Sequence, residues 1–350
     1  MIDHGYRTVQ VRRGRLSGLW STRSLVVCTG LVAVTFLLMV VSLGMGTYPL
    51  AFDRVLGALL GVGDDSQARL LVVGWRLPRA LFAIVCGIAL GLSGAIFQSL
   101  TRNPLGSPDI IGFSSGSYTG AIVVMLVIGS TRYLEIAAGS LIGGCLTAAV
   151  VYLLAVRGRT VQPFRLIIMG IGVGAVLSSL NSTLMLFVNV DTAMLAAVWA
   201  AGSLNGLGYE QLRPTVLILV LFLALLAFVA PRMRQLELGD DAAQALGTRT
   251  GRARSGAVVL GVALTALVTA AAGPISFVAL AAPQIARRLV RGPGLALVPS
   301  ALVGALVLLA SDVLAQRLGF PVGVVTATLG GAYLAWLLAD EFRAQASRRK

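Results

Sequence analysis

Runs of about twenty apolar residues recur along the chain, separated by short polar breaks. At about 20 residues per membrane crossing, they predict spans over 24–46, 79–101, 110–130, 133–156, 165–188, 213–231, 295–311 and 320–339. A longer run, 255–291, is interrupted at Gly273-Pro274 and reads either as one kinked helix or as two short ones. The arginines sit in the breaks, and their distribution separates these readings. With the N-terminus inside and two helices in 255–291, most basic residues face the cytoplasm, including Arg287, Arg288, Arg291 and the basic C-terminus. A single kinked helix would send both groups outward, against the positive-inside bias. The pattern therefore predicts an all-α, polytopic membrane protein with ten transmembrane helices and both termini cytoplasmic. The spans flanking Gly273-Pro274 are then short, about 15–18 residues each, which calls for protein rather than lipid around them.

The same pattern divides the chain into a basic N-terminal tail (1–23), a ten-helix domain (24–340) and a basic C-terminal tail (341–350). The first apolar run exceeds the roughly 7–15 residues of a signal-peptide core and is read as an uncleaved span. Two outer connections carry apolar periodicity suited to short interfacial helices: Phe52, Val55, Leu56 and Leu59 in one, Met194, Leu195, Val198 and Trp199 in the other. An inner loop, 232–254, contains Leu238, Gly239, Asp240, Asp241 and Ala242, then Ala245, Leu246 and Gly247. The two aspartates suit the first turn of a short helix, and Gly247 suits its C-terminal closure. Leu238, Ala242, Ala245 and Leu246 make one small apolar face, which either packs within the loop or docks a cytoplasmic protein.

The stretch 76–116 combines several signals. Arg76, Pro78 and Arg79 predict a charged, rigid start to the second span. Residues 103–108 (NPLGSP) predict a hard turn, because two prolines remove donors and bias their predecessors away from helical angles. The next span opens with Gly112, Ser114, Ser115, Gly116 and Ser117. Glycines inside spans, such as Gly87, Gly91 and Gly94, let helix backbones approach closely. The small residues Ser114, Ser115 and Gly116 and the break at Gly273 and Pro274 are the candidates to line or gate a path through the bundle.

Composition agrees with this picture. Of 350 residues, 57% are hydrophobic and 12% charged, with a mean hydropathy of +0.88. That excludes an ordinary soluble domain. The net charge of +14 would suggest nucleic acid in a soluble protein. Here the basic residues are dispersed over separate inner loops, so no nucleic-acid partner is expected, and the lipid bilayer is the expected surroundings. Cys28, Cys86 and Cys145 lie in or beside apolar runs without a CxxC pair and read as small hydrophobic fillers. There is no phosphate-binding GxxxxGK[ST] loop, no HExxH, and a single histidine, His4. An ATP site, a metal centre and a Ser-His-Asp triad are therefore not expected in this chain, and neither enzymatic activity nor a cofactor is expected. No acidic residue falls at the centre of a span, which argues against proton coupling. A transport channel driven by a separate ATPase fits this profile; a secondary transporter or passive channel acting alone is the alternative.

Four blocks resemble the FecCD family of ABC permeases: 76–116, containing RLPR and QSLTRNPLGSPDIIGFSSG; LELGDDAAQALG at 236–247; GPISFVALAAPQIARRL at 273–289; and FPVGVVTATLGGAYLAWLL at 320–338. Their order and spacing extend the resemblance over nearly the whole chain. It implies the permease of a type II ABC importer for iron(III)-siderophore complexes, haem or cobalamin, in a bacterial cytoplasmic membrane. It further implies a dimer with a second permease subunit, two ABC ATPase subunits and an extracytoplasmic binding protein. Arg76 and Arg79 match family positions that pair with glutamates on the binding protein; without the resemblance, they would read as interfacial anchors. Arg317 resembles a third such arginine, although the 312–321 segment is shorter than in many relatives. Residues 236–247 resemble the family's ATPase-receiving loop. Residues 160–165 depart from the small hydroxyl run of the cobalamin importer. The 200–212 segment and FVALAAPQIARR are most similar to permeases for catecholate siderophores, which usually work as two different but related subunits.

Overall fold

Helix accounts for most of the computed structural model, which describes residues 8–13, 16–46, 48–62, 65–130, 132–157, 160–161, 163–292 and 294–348. The helices run in the order α1 (Thr22–Gly44), α2 (Phe52–Leu60), α3 (Ser66–Arg69), α4 (Leu77–Thr101), α5 (Phe113–Val123), α6 (Tyr133–Ala155) and α7 (Pro163–Met185). They continue as α8 (Val190–Ala200), α9 (Tyr209–Glu237), α10 (Asp240–Ala245), α11 (Thr250–Ala272), α12 (Val278–Val290), α13 (Leu297–Leu318) and α14 (Val322–Arg348). Among the described residues, seven helical stretches are long and apolar enough to cross a membrane, and three shorter apolar helices accompany them, Phe113–Ile128, Val190–Ala200 and Val322–Trp336.

Several details depart from the sequence expectation. Two antiparallel two-stranded hairpins interrupt the all-helical picture, β1 (Thr8–Arg13) with β2 (Leu16–Ser21) and β3 (Val156–Arg157) with β4 (Thr160–Val161). The first has alternating Val9, Gln10 and Val11, a period that suits a strand better than a solvated tail. The helices around Gly273-Pro274 are not equally short: α11 has 23 residues and α12 has 13. Gly273 ends α11 at φ 73°, and Phe277 starts α12 from the left-handed region at φ 68°. Between them the chain runs without helix, with Pro274 unable to donate.

The second span also starts earlier than Arg79. Helix is continuous from Ser66 to Thr101, with a π-helical turn over Leu70–Arg76 joining α3 to α4. The Leu77 amide donates to Val72 O, a five-residue reach. Pro78 has no amide hydrogen and its ring crowds the preceding turn; widening that turn lets the helix pass through instead of starting there.

The core is organised around α4, which packs on α13, α11, α12 and α9. The α4–α13 contact is backbone to backbone: a Cβ on Gly87 would collide with the carbonyl of Gly304, and one on Gly91 with that of Ser300. Phe82, Ile96 and Phe97 of α4 and Leu308 and Leu309 of α13 are fully buried. By contrast α9 exposes Leu217, Leu221 and Phe228, an outer surface that suits lipid.

Candidate functional site

The three arginines from the sequence reading gather where α1 and α13 end, beside the π-helical turn. Their chemical situations differ. Arg76 is half-buried and donates from Nη1 to Leu43 O (2.8 Å) and from Nη2 to Tyr48 O (2.5 Å). Leu43 is in the last turn of α1, where carbonyls lack intrahelical partners, so Arg76 caps that helix. Arg79 donates to both oxygens of Asp312, from Nε at 3.1 and 3.0 Å and from Nη2 at 2.8 Å, and from Nη1 to Asn205 Oδ1 at 2.6 Å. Asp312 is 1% exposed and also accepts from Gln316 Nε2 at 2.7 Å. A forked guanidinium on a buried carboxylate is a strong, oriented contact, and it ties α4 to α13. Arg317 is exposed and meets only Met45 Sδ, at 3.3 Å, with no carboxylate partner among the described residues. It has the most donors free for an incoming anion.

The 232–254 loop forms a second site. Asp240 and Asp241 occupy the first turn of α10, and Gly239 (φ 106°) and Gly247 (φ 81°) take the left-handed angles that bracket it. Ala243 is buried with Leu236 and Ala253. Ala242 and Ala245 are exposed, as are Leu238 and Leu246, at 67% and 58%. The apolar face expected from sequence therefore points away from the chain.

Polar contacts then fasten the loop to the bundle. Asp240 accepts from Arg254 Nη2 at 2.9 Å and lies 3.7 Å from Arg102 Nη2. Arg102 also donates to Leu236 O (3.2 Å), and Ser99 Oγ donates to Glu237 Oε1 (3.2 Å). At the foot of α4, buried Gln98 donates to Leu280 O and accepts from Gln284 Nε2 (2.8 Å) and Arg287 Nη2 (3.2 Å). Gln284 also donates to Pro104 O (2.9 Å). The turn at 103–108, the loop and α12 thus share one hydrogen-bonded base. Sequence reasoning missed Gln98, Arg102 and Arg254. The only local hint was the arginine at the helix end, which takes the left-handed cap angle, φ 49°.

The five path candidates do not form one site. Ser114 Oγ donates to Asp109 Oδ1 (2.8 Å), and Ser115 Oγ faces Ser178 Oγ at 3.4 Å. Gly116 is packed against Thr147 and Gly143 of α6, with no room for a side chain. Gly273 and Pro274 lie against the loop after α8: Ser203 N donates to Ala272 O (2.8 Å), and a Cβ on Gly202 would collide with Pro274 O. Gly273 borders a cavity of about 650 Å³ shared with Tyr133, Trp199 and Asn205. The C-terminal half of α7 adds an unforeseen feature. Ser178, Ser179, Ser182 and Thr183 are exposed on this apolar helix; Ser182 Oγ and Thr183 Oγ1 donate to the carbonyls of Ser178 and Ser179 (3.0 Å each), and their remaining lone pairs form a hydroxyl stripe on its surface.

The comparisons with known proteins agree with this layout. The FecCD transport family matches residues 34–340. This chain belongs to the FecCD transport family. Among relatives, it is 46% identical to the ferric enterobactin transport system permease protein FepG of Escherichia coli (strain K12), over 92% of this chain and 98% of that protein. It is 34% identical to the Fe(3+) dicitrate transport system permease protein FecD of the same strain, over 85% and 93% of the two chains. A solved inward-facing structure of a metal-chelate type ABC transporter superposes with a TM-score of 0.80 and 27% identity, covering 90% of this chain and 99% of the other. The FecCD chain described here thus has an ABC permease fold and is a multi-pass membrane protein.

Proposed function

We propose that this chain is the permease subunit of an ABC importer that carries iron(III)-siderophore complexes across a bacterial cytoplasmic membrane, with catecholate chelates favoured. The observation that carries the reading is the near full-length similarity to a ferric enterobactin permease, enterobactin being a catecholate. The substrate path forms between this chain and a second, related permease subunit. The hydroxyls of Ser115 and Ser178 and the stripe along α7 then face that shared path and the second subunit, since small hydroxyl residues are enriched where membrane helices meet.

In this reading the chain crosses the membrane ten times with both termini cytoplasmic. The seven membrane-length stretches are joined by the Phe113–Ile128 helix, α12 and α14 as the remaining crossings. Residues 24–340 form the permease domain, and 1–23 and 341–350 are cytoplasmic tails. An extracytoplasmic binding protein docks around Arg317 and Arg76, with Arg79 holding the α4–α13 frame beneath them. Two ATPase subunits receive the 232–254 loop: Leu238, Ala242, Ala245 and Leu246 form the contact, and Gly239, Asp240, Asp241 and Gly247 set its shape. ATP hydrolysis by those partners moves the loop, and Asp240, Arg102 and Arg254 pass the movement to α4 and α11. Uptake of labelled ferric enterobactin, ferric hydroxamate, haem and cobalamin in a strain lacking this gene tests the reading. Loss confined to the ferric catecholate is expected; an unchanged rate for every iron chelate would overturn it.

A further inference from the structure

A crevice of about 1530 Å³ lies between α4, α9, α12 and α13, away from the α5–α7 face and its hydroxyls. One end is basic: Arg23, Arg102, Arg234, Arg287 and Arg291 line it, against one carboxylate, Glu237. Arg23, Arg102 and Arg287 each donate to a protein oxygen and have further donors. Arg234 and Arg291 meet no acceptor among the described residues and are exposed. The other end is apolar, formed by Ile88, Leu223 and Leu302 over the buried Leu92 and Leu226.

The change from basic to apolar runs the same way along two helices. On α4 the lining extends from Arg102 back to Ile88, and on α9 from Glu237 back to Leu223. At 1.5 Å per residue each is about 20 Å long, enough to span one leaflet of a hydrocarbon core about 30 Å thick. A free phosphate would use only the basic mouth. The crevice has the dimensions and polarity of a lipid whose headgroup is anionic.

We infer that this crevice binds one anionic phospholipid, with its headgroup phosphate on Arg234 and Arg291 and an acyl chain along Ile88, Leu223 and Leu302. Basic pockets between membrane helices on the cytoplasmic side bind anionic lipid headgroups by charge. The bound lipid closes the gap between α9 and the α4–α13 pair, next to the loop that the Proposed function assigns to the ATPases. The inference does not depend on which chelate is transported.

Native mass spectrometry of the full-length chain, exposed to equal phosphatidylglycerol and phosphatidylcholine in mild detergent, tests it. One retained phosphatidylglycerol is expected in preference to phosphatidylcholine. The variant R234Q/R291Q should lower its retention roughly thirtyfold, the attraction of two basic side chains. L223W, which fills the apolar end from an exposed position, should also lower it, and R213Q, at the opposite end of α9, should leave it unchanged. Because both exposed arginines lie at helix ends, their glutamine variants should keep the parent melting temperature. Equal retention of the two lipids, unchanged retention in R234Q/R291Q, or an equal fall in R213Q would overturn the site. So would binding of inorganic phosphate that depends on the same arginines while L223W retains lipid normally, since the site would then hold a free anion.

Discussion

Arg79 and Arg317 carry the same charge and lie near one another on adjacent helices, yet the structure gives them different work. Arg79 is committed to Asp312, a buried carboxylate that would be costly to leave alone. Replacing Arg79 with Met therefore strands a buried anion, and a loss of about 3–5 kcal/mol is expected, read as a lowered melting temperature in detergent. The double variant R79M/D312L should recover most of that loss, because an apolar pair replaces an ion pair more cheaply than half a pair does. An unchanged melting temperature for R79M would show that the pair contributes nothing. For docking, the sharper test is Arg317→Glu. Its affinity for the binding protein should fall about tenfold or more at low salt, with a smaller deficit at high salt, because exposed charges are screened. Equal affinity at low salt would remove Arg317 from the interface. The sequence block RLPR exposed Arg76 and Arg79 as special, but not their different roles. Asp312 stands 233 positions from Arg79, and no periodicity or local motif links residues at that distance.

At the scale of the elements, apolar runs and turn residues revealed most of the helices, since lipid-length hydrophobic segments have few other stable forms. The small loop helix was legible for the same kind of reason: paired aspartates, bracketing glycines and four apolar positions agree on α10. What stayed hidden was set by neighbours. The π-helical turn before Leu77 depends on how the chain absorbs Pro78, and the uneven lengths of α11 and α12 depend on Phe277 taking a left-handed angle. Two predictions belong here. Leu246→Asp should place a charge on the exposed apolar face without disturbing buried Ala243. ATP hydrolysis should then continue with transport reduced about tenfold or more, a cost typical of desolvating a charge in a contact. Normal transport with the ATPases still bound would exclude this face from coupling. Gly91→Val should push α13 off α4, because the new side chain would occupy the space of the Ser300 carbonyl. Overpacking of about 1–3 kcal/mol or more is expected, seen as a lower yield of folded protein, whereas the same change at Gly30, exposed on α1 with open space around it, should be tolerated.

For the whole molecule the deciding quantity is the number of crossings, and α12 controls it. At 13 residues it is about 20 Å long, too short to be counted by length and hydropathy alone. Yet it is largely buried against α4 and α13, so lipid need not match its length. If α12 crosses with the help of the extended 273–277 segment, Arg287, Arg288 and Arg291 fall on the same side as the 232–254 loop. The shared base supports this, since Arg287 and Gln284 of α12 reach Gln98 and Pro104 at the foot of α4, beside Arg102 and the loop. A nine-crossing chain would break this grouping and send the basic C-terminus outward, against the positive-inside bias. The test needs single cysteines in a background lacking Cys28, Cys86 and Cys145. Cysteine at Arg291 and at Arg252 should react with an impermeant maleimide only after the inner face is exposed. Cysteine at Asp191 and at Glu210 should react in intact cells, once the outer membrane is made permeable if there is one. Labelling at position 291 in intact cells would leave α12 as a re-entrant segment and place α14 in the opposite direction. The dependence on one short, buried helix explains why charge in the loops, rather than hydropathy, determines the count.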